Sequence, residues 1–217
     1  MTDIRQLSTY CGIAAPIMSV GAVTLATILA PPETFTWAER SLSSMGRYGA
    51  PTFPLFNGGL IASGLLGSPF VWRLWIASRN TVERVGIVLL AITVVGMIGV
   101  GVFFLDHNEL YLDTSLHGLA ALTVFGVAPF ASWVYATGAT LAKDALLAIT
   151  SFWLGIVHLL GWLGWLVLPG GGFDTWLWFA VPEFVASVAF GGWVLILAVV
   201  TLRREEHGSS EPAAVDL

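Results

Sequence analysis

Histidines, acids and hydroxyls scattered through an otherwise apolar chain are the residues that can do chemistry here. They are His107, His117, His158 and His207, the acids Asp106 and Glu183, and Ser41, Ser44, Arg47 and Asn57. Converging carboxylate, imidazole and hydroxyl groups can hold a divalent ion, relay protons, or work as acid and base. A zinc centre takes three protein ligands and a water, and the nominal trio is Asp106, His117 and His158. The spacing lends it no motif, since the chain has no HExxH, no HxxxH and no G-x-S-x-G. A plainer reading pairs Asp106 with Arg47 and His158 with Glu183, as ties between helices. In that reading Asp106, His107 and His117 sit where water reaches them.

The elements that must position these groups are six apolar runs, Tyr10–Ala30, Thr52–Ala77, Val85–Leu105, His117–Thr137, Ala145–Leu168 and Trp176–Leu202. Each is close to the roughly 20 residues that cross a bilayer. Hydrocarbon offers no partner to backbone groups, so each run must be a helix. Of the 217 residues, 56% are hydrophobic and 11% charged, with mean hydropathy +0.82. Soluble domains carry about 25% charge, so this composition leaves too little polar surface for a soluble protein. The reading is an all-α, polytopic integral membrane protein with six transmembrane helices. It comprises one domain over residues 1–202 and a disordered, acidic cytoplasmic tail over 203–217. The first run exceeds the roughly 7–15 residues of a signal-peptide core, lacks an A-x-A-like site after it, and is expected to be retained. Cys11 is the sole cysteine, which excludes an intramolecular disulfide and a cysteine-built metal cluster. The basic residues form no stripe, so nucleic acid is not an expected partner.

Basic residues near the span ends set the orientation. Arg5, Arg73, Arg79, Arg84, Lys143, Arg203 and Arg204 fall on the side of the chain ends, against Arg40 and Arg47 on the other. Both termini are therefore expected in the cytoplasm, in a multi-pass protein of the plasma membrane. His158 lies about 15 Å below the outer end of the fifth run and Glu183 about 10 Å into the sixth, at 1.5 Å per residue. Charges at such depth cost about 2.5–3.5 kcal/mol on insertion scales and usually have partners. Pro182 predicts a kink or a helix start beside Glu183. Nearly all the polar residues gather in the outer half, and the half beside the chain ends reads as plain hydrophobic packing. Gly59, Ser63 and Gly67, with Gly155, Gly161, Gly191 and Gly192, are spaced for close helix contact.

One pattern is more specific. Trp37-x-x-x-Ser41-Leu42-Ser43-Ser44-Met45-Gly46 precedes Phe56-Asn57-x-x-Leu60-x-x-x-Gly64, and Gly101-Val102-Phe103-x-x-Asp106 precedes His117 with Ala120 and Ala121. This resembles the prokaryotic membrane family catalogued as domain of unknown function 998. That family has a Ser-x-Leu-Gly-like outer segment, an F-N-x-G-like second helix, and an Asp and a His flanking the loop between helices three and four. The likeness covers nearly all of the six-helix region and not the tail. Phe104-Leu105-Asp106 departs from it, because such families often place a proline before the acid. The resemblance implies a six-helix membrane protein without an established activity, and it singles out Ser41, Asn57, Asp106 and His117. No cofactor follows from it.

The functional expectation is an outward-facing polar pocket that binds a lipid headgroup, a small solute or an ion, or a role as a partner subunit. The alternatives are a metal-dependent membrane hydrolase built on Asp106, His117 and His158, and a proton-coupled transporter using Glu183 and His158. Expected partners are the lipid bilayer and a membrane protein or a second copy of the chain.

Overall fold

The computed structural model describes residues 4–167 and 177–210, with side chains as far as His207. The Pro169–Thr175 loop, Trp176 and residues 211–217 lie outside the described residues. The chain forms α1 (Ile4–Leu29), α2 (Phe53–Ala77), α3 (Thr81–Val102), α4 (His117–Leu141), α5 (Ala145–Leu163) and α6 (Ala180–Ser210). All six are long and apolar enough to cross a membrane.

Local chemistry explains where the helices begin and end. Asn80 caps α3, its side chain accepting the Glu83 N–H at 2.9 Å, so α3 starts earlier than its apolar run. Asp144 caps α5 in the same way, accepting the Leu147 N–H at 3.2 Å. Between α4 and α5 the chain reverses through Lys143, whose φ of 58° is left-handed. Pro182 stands in the first turn of α6, where its missing N–H does no harm. It marks a helix start at Ala180, within the run predicted from Trp176. At its other end α6 continues as helix to Ser210, into the segment for which the sequence suggests disorder.

Each helix packs on the next, and α6 closes onto α1, so the six helices make a ring. The centre is filled by Phe70, Leu90, Val94, Tyr135, Trp193 and Leu197 with their neighbours. The outside is equally apolar: Ile17, Leu65, Val95, Leu119, Phe130 and Leu160 are all exposed. Apolar surface on both faces of every helix is what a lipid solvent requires. The small residues lie where helices meet. Ser63 donates to the Ala15 carbonyl of α1 at 2.7 Å, and Gly59 faces Ala22 on the same helix. A Cβ on Gly161 would stand 2.9 Å from Val185 of α6. Gly192, by contrast, faces open space.

Candidate functional site

The link between α1 and α2 folds back over the bundle as a short 3-10 helix, Leu42–Gly46, packed on α1, α2 and α6. Side chains three apart eclipse in such a helix, so Leu42 and Met45 point the same way. Both are buried with Val23, Phe35 and Phe56. A buried segment must find partners for its backbone groups; Glu183, Asn57 and Asp106, which the sequence singles out by type, supply three of them, and Thr52, which it does not, supplies another. The Leu42 N–H, at the start of the turn, donates to Glu183 Oε2 at 2.8 Å. Thr52 Oγ1 donates to the Met45 carbonyl at 2.9 Å, and Asn57 Nδ2 to the Gly46 carbonyl at 2.8 Å. The Tyr48 N–H donates to Asp106 Oδ1 at 3.1 Å.

His117 completes the attachment. Its Nδ1 lies 2.8 Å from the Phe103 carbonyl and its Nε2 3.1 Å from Ser43 Oγ. A carbonyl only accepts, so the network places the proton on Nδ1 and leaves Nε2 to accept from the serine hydroxyl. Gly46 is needed for the close approach, because a Cβ there would lie 2.6 Å from Asn57 Oδ1. Glu183, Asn57, His117 and Asp106 thus come from different parts of the chain and hold one capping segment.

Under this cap lies a cavity of about 70 Å³, room for a few waters at roughly 10–15 Å³ each. Side chains from all six helices line it, most of them apolar. Its polar members are Ser19, Ser43, His158, Glu183 and Ser187, while Leu42 of the cap contributes to the roof. Glu183 is 5% exposed and sits in the first turn of α6. Among the described residues its side chain accepts only the Leu42 bond. A carboxyl group has more hydrogen-bonding positions than this single bond uses, so Glu183 keeps capacity toward the cavity. His158 is 2% exposed, with Nδ1 2.8 Å from the Ala186 carbonyl and Nε2 3.0 Å from the Phe125 carbonyl. Phe125 stacks on its ring at a centroid distance of 5.9 Å.

Several sequence expectations are corrected here. Among the described residues no ion pair joins Asp106 to Arg47 or His158 to Glu183; each acid instead accepts a backbone N–H of the cap. The nominal metal trio is not assembled: among the described residues no three or more His, Cys, Asp or Glu side chains come together as a metal-holding group. His117 is 8% exposed and His107 fully buried, so neither sits in water. His107 braces the α3–α4 loop through the carbonyls of Phe104 and Thr114, at 2.7 and 3.0 Å. Ser41 and Ser44 face each other with hydroxyls 3.4 Å apart. Ser44 and Arg47 line a separate depression with Glu33 and Arg40, outside the cavity. Ser43, which the sequence did not single out, is the serine that reaches both His117 and the cavity.

The face that carries the chain ends also departs from the plain packing expected of it. Arg79 donates from its backbone N–H and guanidinium to Glu83, and from Nη1 to Asp144 at 2.8 Å. Arg204 pairs with the same Asp144. Arg73 Nε donates to Glu205 Oε1 at 2.6 Å, and Thr9 Oγ1 donates to the same oxygen at 3.1 Å. Burial raises the Asp144 pKa, but the hydrogen bonds from Arg204 and Arg79 outweigh it and hold the carboxyl below its usual value. The sequence did contain signals for this network. Asn80-Thr81-Val82-Glu83 has capping-box spacing, and Asp144 stands directly before an apolar run.

Comparison with known proteins gives one relation. The family described as "Protein of unknown function (DUF998)" matches residues 13–200 of this chain. No curated protein and no solved structure matches it significantly.

Proposed function

Because the chain belongs to the DUF998 family, whose membership brings no activity with it, we propose a function from the pocket itself: an integral membrane protein that binds a small solute or ion in a capped cavity. The carrying observation is Glu183. A carboxyl group 5% exposed, lining a cavity and holding one described donor, has hydrogen-bonding positions to offer a ligand. The volume favours a solute of a few non-hydrogen atoms over a lipid headgroup. The ligand gives Glu183 a hydrogen bond or a positive charge. His158 has both ring nitrogens facing backbone carbonyls, so it contributes shape without a further hydrogen bond. Phe70, Val94 and Trp193 fill the bundle between this pocket and the ion pairs at the other face. That packing favours binding over proton-coupled transport. The excess of basic residues on the face of the chain ends supports a cytoplasmic location for both, and the pocket then opens outward beneath the cap.

Native mass spectrometry of the protein extracted in native nanodiscs tests the reading. Glu183→Gln keeps an oxygen for the Leu42 N–H and so preserves the cap. The expected result is a co-purifying small species on the wild type that is lost from Glu183→Gln. Identical spectra, with nothing on either beyond bulk lipid, sink the proposal.

A further inference from the structure

The face that carries the chain ends holds a second cleft, far from the capped cavity and much larger, of about 600 Å³. Four arginines line it, Arg5, Arg73, Arg79 and Arg204, against two carboxylates, Glu205 and Glu206. Glu205 is already engaged by Arg73 and Thr9. The Arg79 partners Glu83 and Asp144 are 1% and 10% exposed and lie outside the lining. The lining thus presents more guanidinium groups than carboxylates, while Glu83 and Asp144 behind it offset the charge of Arg79 and Arg204.

Two of these arginines are only partly used. The Arg73 side chain is 12% exposed, and among the described residues it donates one hydrogen bond, from Nε to Glu205. Arg204 likewise donates one, from Nη2 to Asp144. A guanidinium carries five N–H donors in a planar fork that matches the oxygens of a phosphate. Both Nη groups of Arg73 are left for a ligand, and the phenol of Tyr135 lines the same space. Depth gives independent support. Arg73 is four residues from the end of α2, about 6 Å from its terminus. It lies between Trp72 and Trp75, which are 63% and 37% exposed, as expected of side chains at headgroup level.

We propose that this cleft binds a phosphate-bearing anion, held by Arg73 and Arg204. The phosphate belongs either to an anionic phospholipid of that leaflet or to a soluble phosphate compound. The two sources share the chemistry and differ in the route of entry.

The test uses the full chain in nanodiscs. In one arm, thermal stability is compared between phosphatidylcholine discs and discs containing phosphatidylglycerol. In the other, inorganic phosphate is titrated into phosphatidylcholine discs against chloride at equal ionic strength. Stabilisation in the first arm assigns a lipid headgroup, and stabilisation in the second a soluble phosphate. In either case Arg204→Gln and Arg73→Gln weaken binding about tenfold each, the size of one charge-assisted hydrogen bond. Arg204 is 49% exposed, so its variant tests the site even where Arg73→Gln does not fold. No stabilisation in either arm, or Arg204→Gln responding as the wild type does, overturns the proposal.

Discussion

His158 faces two carbonyl oxygens, and a neutral imidazole has a single N–H. Both contacts are hydrogen bonds together only when both nitrogens carry protons. A charged ring buried among apolar side chains would be costly, so one carbonyl accepts the single N–H and the other only lies against the ring. The expected nitrogen-15 spectrum of labelled protein shows His158 and His117 both neutral, His117 with its proton on Nδ1. An imidazolium signal for His158 would mean that both carbonyls accept from the ring at once. Asp144 gives a second residue-scale prediction. Its pKa is lowered in the folded protein by Arg204 and Arg79. A lowered folded pKa stabilises the fold above the unfolded value of 3.8, and that contribution disappears as pH falls through the folded value. Melting temperature measured from pH 6 downward should drop below about pH 4 in the wild type and drop less in Asp144→Asn. The asparagine still accepts the Leu147 N–H, so the difference reports the charge. The sequence shows that Asp144 begins a helix and that Glu183 and His158 lie deep. It does not show their partners, because Leu42 and Glu183 are 141 residues apart and nothing local to either encodes the contact.

The six helices are legible because hydrophobic length and turn chemistry are local properties. The short 3-10 helix between α1 and α2 is not, because its apolar face is only Leu42 and Met45 and its stability comes from distant side chains. Asn57→Ala removes the donor to the Gly46 carbonyl and leaves a buried acceptor unmet, at a cost of about 1–3 kcal/mol. That loss falls on the cap, so hydrogen exchange at the amides of Leu42 to Arg47 should accelerate while α3 and α4 exchange as before. Uniform acceleration would show that Asn57 supports the whole bundle instead. A different contact fixes α3 against α4. Asn80 Nδ2 donates to the Gly138 carbonyl at 2.8 Å, and a Cβ on Gly138 would lie 2.6 Å from the Glu83 backbone nitrogen. Backbone cannot yield as a side chain end does, so Gly138→Ala should destabilise by roughly 1–3 kcal/mol, read as a lowered melting temperature. The small-residue spacing in the sequence exposes the α1–α2 contact, whereas this one depends on a loop cap that brings the two helix ends together.

At the scale of the whole molecule, the membrane environment follows from composition, and the division of polar groups follows only from the fold. The ring has polar clusters at both ends, the cap and its cavity at one and the arginine cleft at the other, with a packed apolar middle. The sequence reads as having one polar end, because the arginines near the span ends enter it only as markers of orientation. Their pairing with Glu83, Asp144 and Glu205 turns them into a structured surface. Direction across the bilayer then decides which compartment each site serves. Seven basic residues flank the spans on the face of the chain ends and two flank them on the other, and short loops rich in Arg stay cytoplasmic. Replacing Cys11, the sole cysteine, by serine allows single cysteines to be introduced for labelling. In intact cells a membrane-impermeant maleimide should label Asn108→Cys and leave Ser78→Cys unmodified until the membrane is opened. The reverse pattern would turn the molecule over. The arginine cleft would then face outward, and the capped cavity would draw its ligand from the cytoplasm.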